Sequence, residues 1–265
     1  MTIIKNIKDF QISEEVAKVL VQGVLKGYKD YAQERLTKKN EMIVSTGYLW
    51  TRSNHIDDAI AKEIQSEHLQ SNINFKVGRA GYIWDYVQFL HNTGEQSMII
   101  VKPGEFRVAK YGHATDSKHL NQNSMEILMS VNKKHFAETN NITRIQGEQL
   151  VLFDDSVPTK SVPSKQEVYS EIENRKKSVQ RFYILTYTLD ADSLINAIKL
   201  VMPNPEDNSV VTIQDFSNLI GDANLITSEE SSALKSELEE QVAAPEYFFN
   251  VLDNEQQEYK NEEQG

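Results

Sequence analysis

The chain between Tyr48 and Lys102 holds its densest mixture of ionisable and aromatic side chains. The aromatic members are Tyr48, Trp50, Phe75, Tyr82, Trp84, Tyr86 and Phe89. The polar members interleaved with them are Arg52, Asn54, Asp57, Asp58, Arg79, Asp85 and His91. Charged groups held among apolar rings are typical of binding and acid–base sites. We therefore expect this stretch to contain both the core of the N-terminal half and the first place to look for a functional site.

Several classes of chemistry are excluded by composition. The chain has no cysteine, which excludes disulfides, zinc–thiolate and iron–sulfur sites and cysteine nucleophiles. The histidines are scattered at His55, His68, His91, His113, His119 and His135, without the close spacing of a metal-binding helix. The glycine-rich phosphate loops and the nucleophile elbow of hydrolases are also missing. The residues therefore predict no metal site and no resident cofactor.

One short segment has a sharper pattern. The peptide Gln149-Leu150-Val151-Leu152-Phe153 resembles the motif by which bacterial replication and repair proteins dock onto the sliding clamp. Leucine and phenylalanine side chains fill an apolar pocket in this kind of docking, while a glutamine amide forms hydrogen bonds at the rim. The resemblance implies partner binding through Gln149, Leu150, Leu152 and Phe153. The alternative interpretation is an edge strand with Leu150 and Leu152 facing the core.

The order of the predicted elements in the N-terminal half is similar to the PD-(D/E)XK nuclease core. That resemblance implies one acid on a strand and an acid-x-lysine on the next strand, since the carboxylates hold Mg²⁺ and the lysine positions water. Asp85 and Lys102 occupy two of these places, but the second carboxylate is missing and Glu105 is only a loose substitute. In the non-catalytic alternative, Asp85 pairs with Arg52 or Arg79.

The helices that must position these side chains are predicted from apolar spacing. Ser13 is expected to cap a helix that runs to about Leu36. Asn54 is expected to open a second helix, with Asp57 and Asp58 in the first turn, where carboxylates favour the positive end of the helix. The buried face of this second helix is predicted to be Ile56, Ile60 and Ile64.

Strands are predicted where the apolar period changes to two. They cover Phe75–Val77, Tyr82–Leu90, Met98–Lys102, Phe106–Tyr111, Gln149–Phe153, Phe182–Thr188 and Val210–Ile213. Further helices are predicted from Asp116 or Ser117 to about Phe136, over Glu167–Val179, Asp190–Val201 and Asp215–Leu219, and from Ser228 to about Val242. The expected fold class is α+β, a helix-flanked and mostly antiparallel sheet domain followed by a smaller α/β unit and an acidic C-terminal tail.

The domain boundaries are predicted from shifts in composition. Residues 1–153 form the sheet domain, and residues 154–166, which are rich in serine, proline and lysine, form a linker. Residues 167–228 form the smaller unit, and residues 229–265 form an acidic helix and a mobile tail. The tail carries nine of the eleven net negative charges, so the body is almost neutral and neither predicts nor excludes contact with DNA.

These features lead to one functional expectation. The N-terminus lacks an apolar signal core, and no stretch of the sequence is apolar enough to span a membrane. We expect a cytoplasmic, bacterial-type protein that binds macromolecular partners, in DNA replication, repair or phage–host conflict. The alternative is a divergent Mg²⁺-dependent nuclease of restriction type. The acidic tail is left open as a DNA mimic, a peptide for a partner or a solvated segment, and the oligomeric state is also left open.

Overall fold

Helices pack on both faces of one mixed β-sheet, so the chain has the α+β architecture expected from its sequence. The computed structural model describes residues 7–80, 84–93, 95–104, 124–136, 174, 176–206, 209–221 and 226–235. The main helices are α1 (Glu14–Glu41) and α2 (Arg52–Ser66), joined by a 3-10 turn over Thr46–Thr51. Two short helices follow, α3 (Ser124–Met129) and α4 (Lys133–Phe136), and α5 covers 228–235.

The start of α1 follows the expected capping chemistry. The Ser13 hydroxyl accepts a hydrogen bond from the Val16 N–H at 3.4 Å, which confirms Ser13 as the N-cap. Glutamates occupy the first turn and lysines the last turn, each matching the charge of the helix end. The helix continues past Leu36 to Glu41, since nothing in the polar run after Leu36 breaks a helix.

Two glycines allow α1 and α2 to cross at very close range. A methyl group on Gly23 would lie 2.5 Å from the Ile60 Cα atom. A methyl group on Gly27 would lie 2.5 Å from the His55 carbonyl oxygen and from the Ile56 Cα atom. Only glycine fits at these positions, because any other side chain would push the two backbones apart.

Among the described residues, the sheet contains six strands in chain order. They are β1 (Ile73–Ala80), β2 (Trp84–Thr93), β3 (Glu95–Pro103), β4 (Arg181–Leu189), β5 (Ile195–Pro203) and β6 (Val210–Asp215). All neighbours are antiparallel except β3 and β4, which are parallel. A parallel pair needs a crossover connection, and α3 and α4 lie in the segment that makes it.

Alternate residues of the central strands supply two separate cores. Ile99 and Val101 of β3 pack in the core that contains α1 and α2, and Ile56, Ile60 and Ile64 are buried there as expected. Met98 and Ile100 of the same strand pack in the second core, with α3 on the opposite face. Because side chains alternate between the two faces of a strand, this division identifies the face on which each β3 residue lies.

The predicted helix over Asp190–Val201 is wrong. The Asp190 carboxylate accepts hydrogen bonds from the backbone N–H groups of Asp192 and Leu194, at 2.8 and 2.9 Å, and so stabilises a turn instead of a helix end. Residues Ile195–Pro203 then form β5, which pairs with β4 and β6. Short apolar runs of this kind fit either period, and the two neighbouring strands decide the outcome.

The predicted role of Trp50 as a core residue is also wrong. Trp50 lies in the turn between α1 and α2 and is 48% exposed. Among the described residues, the most completely buried rings are instead Tyr28 and Tyr31 on α1, Phe89 on β2, and Phe182 and Tyr183 on β4. The core is therefore centred on the contact of α1 with the middle of the sheet, and the side chain of Trp84 lies outside the described residues.

Strands from both predicted units lie side by side in the sheet. β3 and β4 pair from Ser97↔Arg181 to Pro103↔Tyr187. The predicted strands over 106–111 and 149–153, the predicted linker over 154–166 and the tail beyond Lys235 lie outside the described residues. The exact domain boundaries remain predictions.

A buried asparagine completes the pairing of β4 with β5. The Asn132 amide donates to the carbonyl oxygens of Phe182 and Pro203, at 2.8 and 3.0 Å, and accepts from the Phe182 N–H at 2.9 Å. Pro203 has no N–H to give to the facing strand, so the asparagine supplies the missing donor. Its side chain is fully buried, and all three partners would be left unsatisfied without it.

Candidate functional site in the gap between two strands

The sheet opens between β2 and β3. Their backbone pairing runs from Thr93↔Glu95 to Phe89↔Ile99 and extends no further among the described residues. Beyond that point β2 stays paired with β1 as far as Trp84, and β3 stays paired with β4 as far as Pro103. We call the space between residues 84–88 of β2 and residues 100–103 of β3 the β2–β3 gap.

Asp57 reaches into this gap from α2. One of its carboxylate oxygens, Oδ2, accepts the backbone N–H of Val87 at 3.1 Å, in the place that a β3 carbonyl would otherwise occupy. Asp57 stands four and seven residues before Ala61 and Ile64, both of which are buried. This spacing puts the carboxylate on the side of α2 that faces the sheet and leaves it half-buried.

Burial has a large effect on the Asp57 carboxyl. It raises the pKa to about 6, while the Val87 N–H and the Lys102 ammonium act in the opposite direction. Removal of a carboxylate from water disfavours its charged form, and the two compensating groups do not fully offset that cost. A carboxyl group in this range exchanges protons near neutral pH and is suited to accept or donate one.

Lys102 approaches the same gap from the end of β3. Alternation places its side chain on the face of Met98 and Ile100, opposite the face from which Asp57 enters. The lysine is half-buried, and burial lowers its pKa while Asp57 opposes that change. Among the described residues no group accepts a hydrogen bond from its ammonium and no carboxylate lies within ion-pair distance.

Tyr187 and Arg52 border the gap. Tyr187 lies on β4 opposite Pro103 and is 3% exposed, with its ring 6.3 Å from that of Tyr28. Burial raises the pKa of the Tyr187 hydroxyl, Arg52 lowers it and Asp57 raises it further. Arg52 is the first residue of α2 and brings a second positive charge to this region.

The arrangement combines a cation that has no ion-pair partner among the described residues with a carboxylate whose pKa burial raises to about 6. Such a pair is suited to hold an anionic or hydrogen-bonding group and to exchange a proton with it. Within the part of the chain that the structure describes, no group of three histidine, aspartate or glutamate side chains comes together to hold a metal ion.

The residues singled out from the sequence are only partly brought together. Lys102 lies at the β2–β3 gap, and Asp85 lies on the β2 segment that borders it, with its backbone opposite Arg79. The side chains of Asp85 and Arg79 are not among those described. Glu105 lies outside the described residues, and so do Gln149, Leu150, Leu152 and Phe153.

The role of Asp57 was missed by the sequence reasoning. The sequence predicts Asp57 in the first turn of a helix beginning at Asn54, but α2 begins at Arg52 and Asp57 lies one turn further in. The sequence contains a signal for this role, because Asp57 shares the apolar face of its helix with Ile60 and Ile64. An acid on such a face must bind a polar group or remain unpaired in the core.

The histidines act as structural residues where the structure describes them in detail. His55 lies 2.8 Å from the Glu34 carboxylate, and His135 forms a hydrogen bond with the Gln180 carbonyl. His91 is buried opposite Ser97, and burial lowers its pKa. These contacts agree with the hydrogen-bonding role expected for scattered histidines.

Comparison with protein families, curated proteins and solved structures finds no match for this chain. Of the helices that the structure describes, none combines the length and the apolar character needed to cross a membrane. A functional proposal must therefore rest on the residues themselves.

Proposed function

We propose that the protein acts in the cytoplasm by binding a macromolecular partner, and that residues Gln149–Phe153 dock it onto a sliding clamp. The observation that carries this proposal is the sequence Gln-Leu-x-Leu-Phe, which pairs a rim-binding amide with side chains for an apolar pocket. The peptide lies in the connection between α4 and β4, outside the described strands of the sheet. Docking of this kind links the protein to DNA replication, repair or phage–host conflict.

The experiment measures binding of the full chain to purified bacterial sliding clamp by surface plasmon resonance. We compare the parent with the double variant Leu152→Ala/Phe153→Ala, which removes the pocket-filling side chains. Val151→Ala is the matched control, because Val151 occupies the variable position of the motif. The proposal requires loss of binding in the double variant and retention in the control. Equal binding by all three proteins, or no binding by the parent, overturns it.

A second candidate function is metal-dependent cleavage of nucleic acid at the β2–β3 gap. It is supported by Lys102, which is half-buried and has no ion-pair partner in the described part of the chain. It is also supported by the Asp57 carboxylate, which reaches the gap where the sequence lacks an acid two residues before the lysine. The described residues alone do not complete a magnesium site, so this function requires Asp85 to add its carboxylate.

Cleavage is tested by incubating plasmid DNA with the protein and Mg²⁺ or Mn²⁺. Asp85→Ala and Lys102→Met are each expected to abolish nicking, since one removes a metal ligand and the other the group that positions water. Asp58→Asn, on the exposed side of α2, is expected to cleave like the parent. Activity that survives both Asp85→Ala and Lys102→Met rules out this site.

A further inference from the structure

We propose that the β2–β3 gap binds a phosphate-bearing ligand whose oxyanion contacts the Lys102 ammonium and whose neighbouring hydroxyl donates to the Asp57 carboxylate. This site is separate from the docking peptide. It shares Lys102 with the cleavage function but requires neither a metal ion nor bond breakage.

Lys102 is half-buried and has no carboxylate within ion-pair distance among the described residues. The ion-paired lysines of the described chain reach a carboxylate within 4 Å, as Lys26 does with Glu63 at 2.8 Å and Lys62 with Asp58 at 2.6 Å. Both of those lysines are exposed and could remain in water without a partner. Lys102 is removed from water to a greater extent and, among the described residues, has no such contact, so the protein compensates its charge poorly.

The Asp57 carboxylate uses only one of its two oxygens in hydrogen bonds with the described residues. Its Oδ2 atom is used by the Val87 N–H, and its Oδ1 atom has no hydrogen-bond partner among the described residues. A bare anion beside this carboxylate would be repelled by it. The ligand must therefore offer an anionic oxygen to Lys102 and a hydrogen-bond donor to Asp57 Oδ1. A phosphate with an adjacent sugar hydroxyl satisfies both requirements.

The unpaired ends of β2 and β3 leave backbone groups that a ligand can reach. Asp57 enters from the α2 face and Lys102 lies on the opposite face, and between them β2 and β3 are unpaired beyond Phe89 and Ile99. A ligand in this gap replaces the backbone hydrogen bonds that the separated strands do not make with each other. The gap also lies at the carboxyl end of β3, beside its parallel neighbour β4, a common position for ligands in sheets with helices on both faces.

Two sources can supply this chemistry, a free nucleotide or the backbone of a nucleic acid. Titration calorimetry in EDTA uses three probes, which are inorganic phosphate, a nucleoside 5′-monophosphate and a short single-stranded RNA. Saturable binding of the mononucleotide alone assigns a nucleotide site. Tighter binding of the RNA assigns a nucleic-acid site. If inorganic phosphate binds as tightly as either, the neighbouring hydroxyl contributes nothing, and the part of the proposal that involves Asp57 is wrong.

The variants separate loss of the site from loss of the fold. Lys102→Met keeps the aliphatic stem and is expected to weaken binding at least about tenfold, since a charge-assisted hydrogen bond is removed. Asp57→Asn keeps the acceptor for Val87 but loses the charge, and it is expected to weaken the nucleotide more than inorganic phosphate. Lys76→Met, on the exposed part of edge strand β1, is the control and should bind normally.

Each outcome of these binding measurements either supports or overturns the proposed phosphate site. Binding lost in Lys102→Met and retained in Lys76→Met establishes the site. Equal weakening in both lysine variants shows general attraction of anions to the surface and overturns the proposal, as does a parent protein that binds none of the probes. Because the assay contains EDTA, it can succeed when cleavage fails, and it is independent of clamp binding.

Discussion

Replacement of Asp57 by asparagine should stabilise the folded protein at neutral pH. Asparagine keeps the side-chain oxygen that accepts the Val87 N–H, so the hydrogen bond at 3.1 Å can be retained. It removes a negative charge that burial disfavours. Functional sites commonly hold groups that reduce stability, so an increase in stability on removal of Asp57 is the result expected of such a site.

The magnitude follows from the change in pKa. Burial raises the pKa of Asp57 from 3.8 to about 6, so the folded state binds the proton more tightly than the unfolded state. The group therefore favours folding below about pH 4, and this contribution is lost as the pH rises through about 6. At about 1.4 kcal/mol per pKa unit, the cost of the charged carboxyl is roughly 1 kcal/mol at pH 4.5 and roughly 3 kcal/mol at pH 7.5.

We therefore expect the stabilising effect of Asp57→Asn to be about 2 kcal/mol larger at pH 7.5 than at pH 4.5. The measurement is urea unfolding followed by circular dichroism at both pH values. Asp58→Asn is the matched control, because that neighbour is exposed and pairs only with Lys62 on the surface, which contributes little to stability. An effect of Asp57→Asn that is the same at both pH values, or a loss of stability at pH 7.5, would refute the reasoning.

Two further predictions concern the frame that supports the site. Asn132→Ala should lower the free energy of unfolding by about 3 to 5 kcal/mol, because three buried backbone groups lose their partner. The control is Asn196→Ala, on the exposed part of β5, which should lower the free energy of unfolding by less than about 1 kcal/mol. Similar urea midpoints for the two variants would contradict this role of Asn132. Gly27→Ala places a methyl group against the α2 backbone and should lower the thermal midpoint, although the same change in an exposed helix adds about 1 kcal/mol of stability. An unchanged or higher midpoint in a thermal melt would show that the two helices can separate without cost.

Much of the fold was predictable where a pattern is both long and local. The cap at Ser13, the isoleucine face of α2 and the strands β2, β3 and β4 follow from spacing that the chain repeats over several turns or residues. The sequence predicts a helix over Asp190–Val201 because the apolar residues there are few and fit both periods, but Ile195–Pro203 forms β5. The turn at Asp190 and the two flanking strands resolved that ambiguity, and neither is visible in the segment alone.

The sequence by itself determined the α+β class, the exclusion of cysteine chemistry and the presence of an ionisable cluster between Tyr48 and Lys102. Only the tertiary structure decided which members of that cluster meet. Asp57 and Lys102 are far apart in the chain, and each influences the pKa of the other because folding brings α2 to the part of the sheet where β2 and β3 separate. The physical reason is that the pKa of a side chain depends on its removal from water and on charges brought near it by folding. Residue spacing along a helix or strand fixes the direction of a side chain, whereas packing between elements fixes its neighbours.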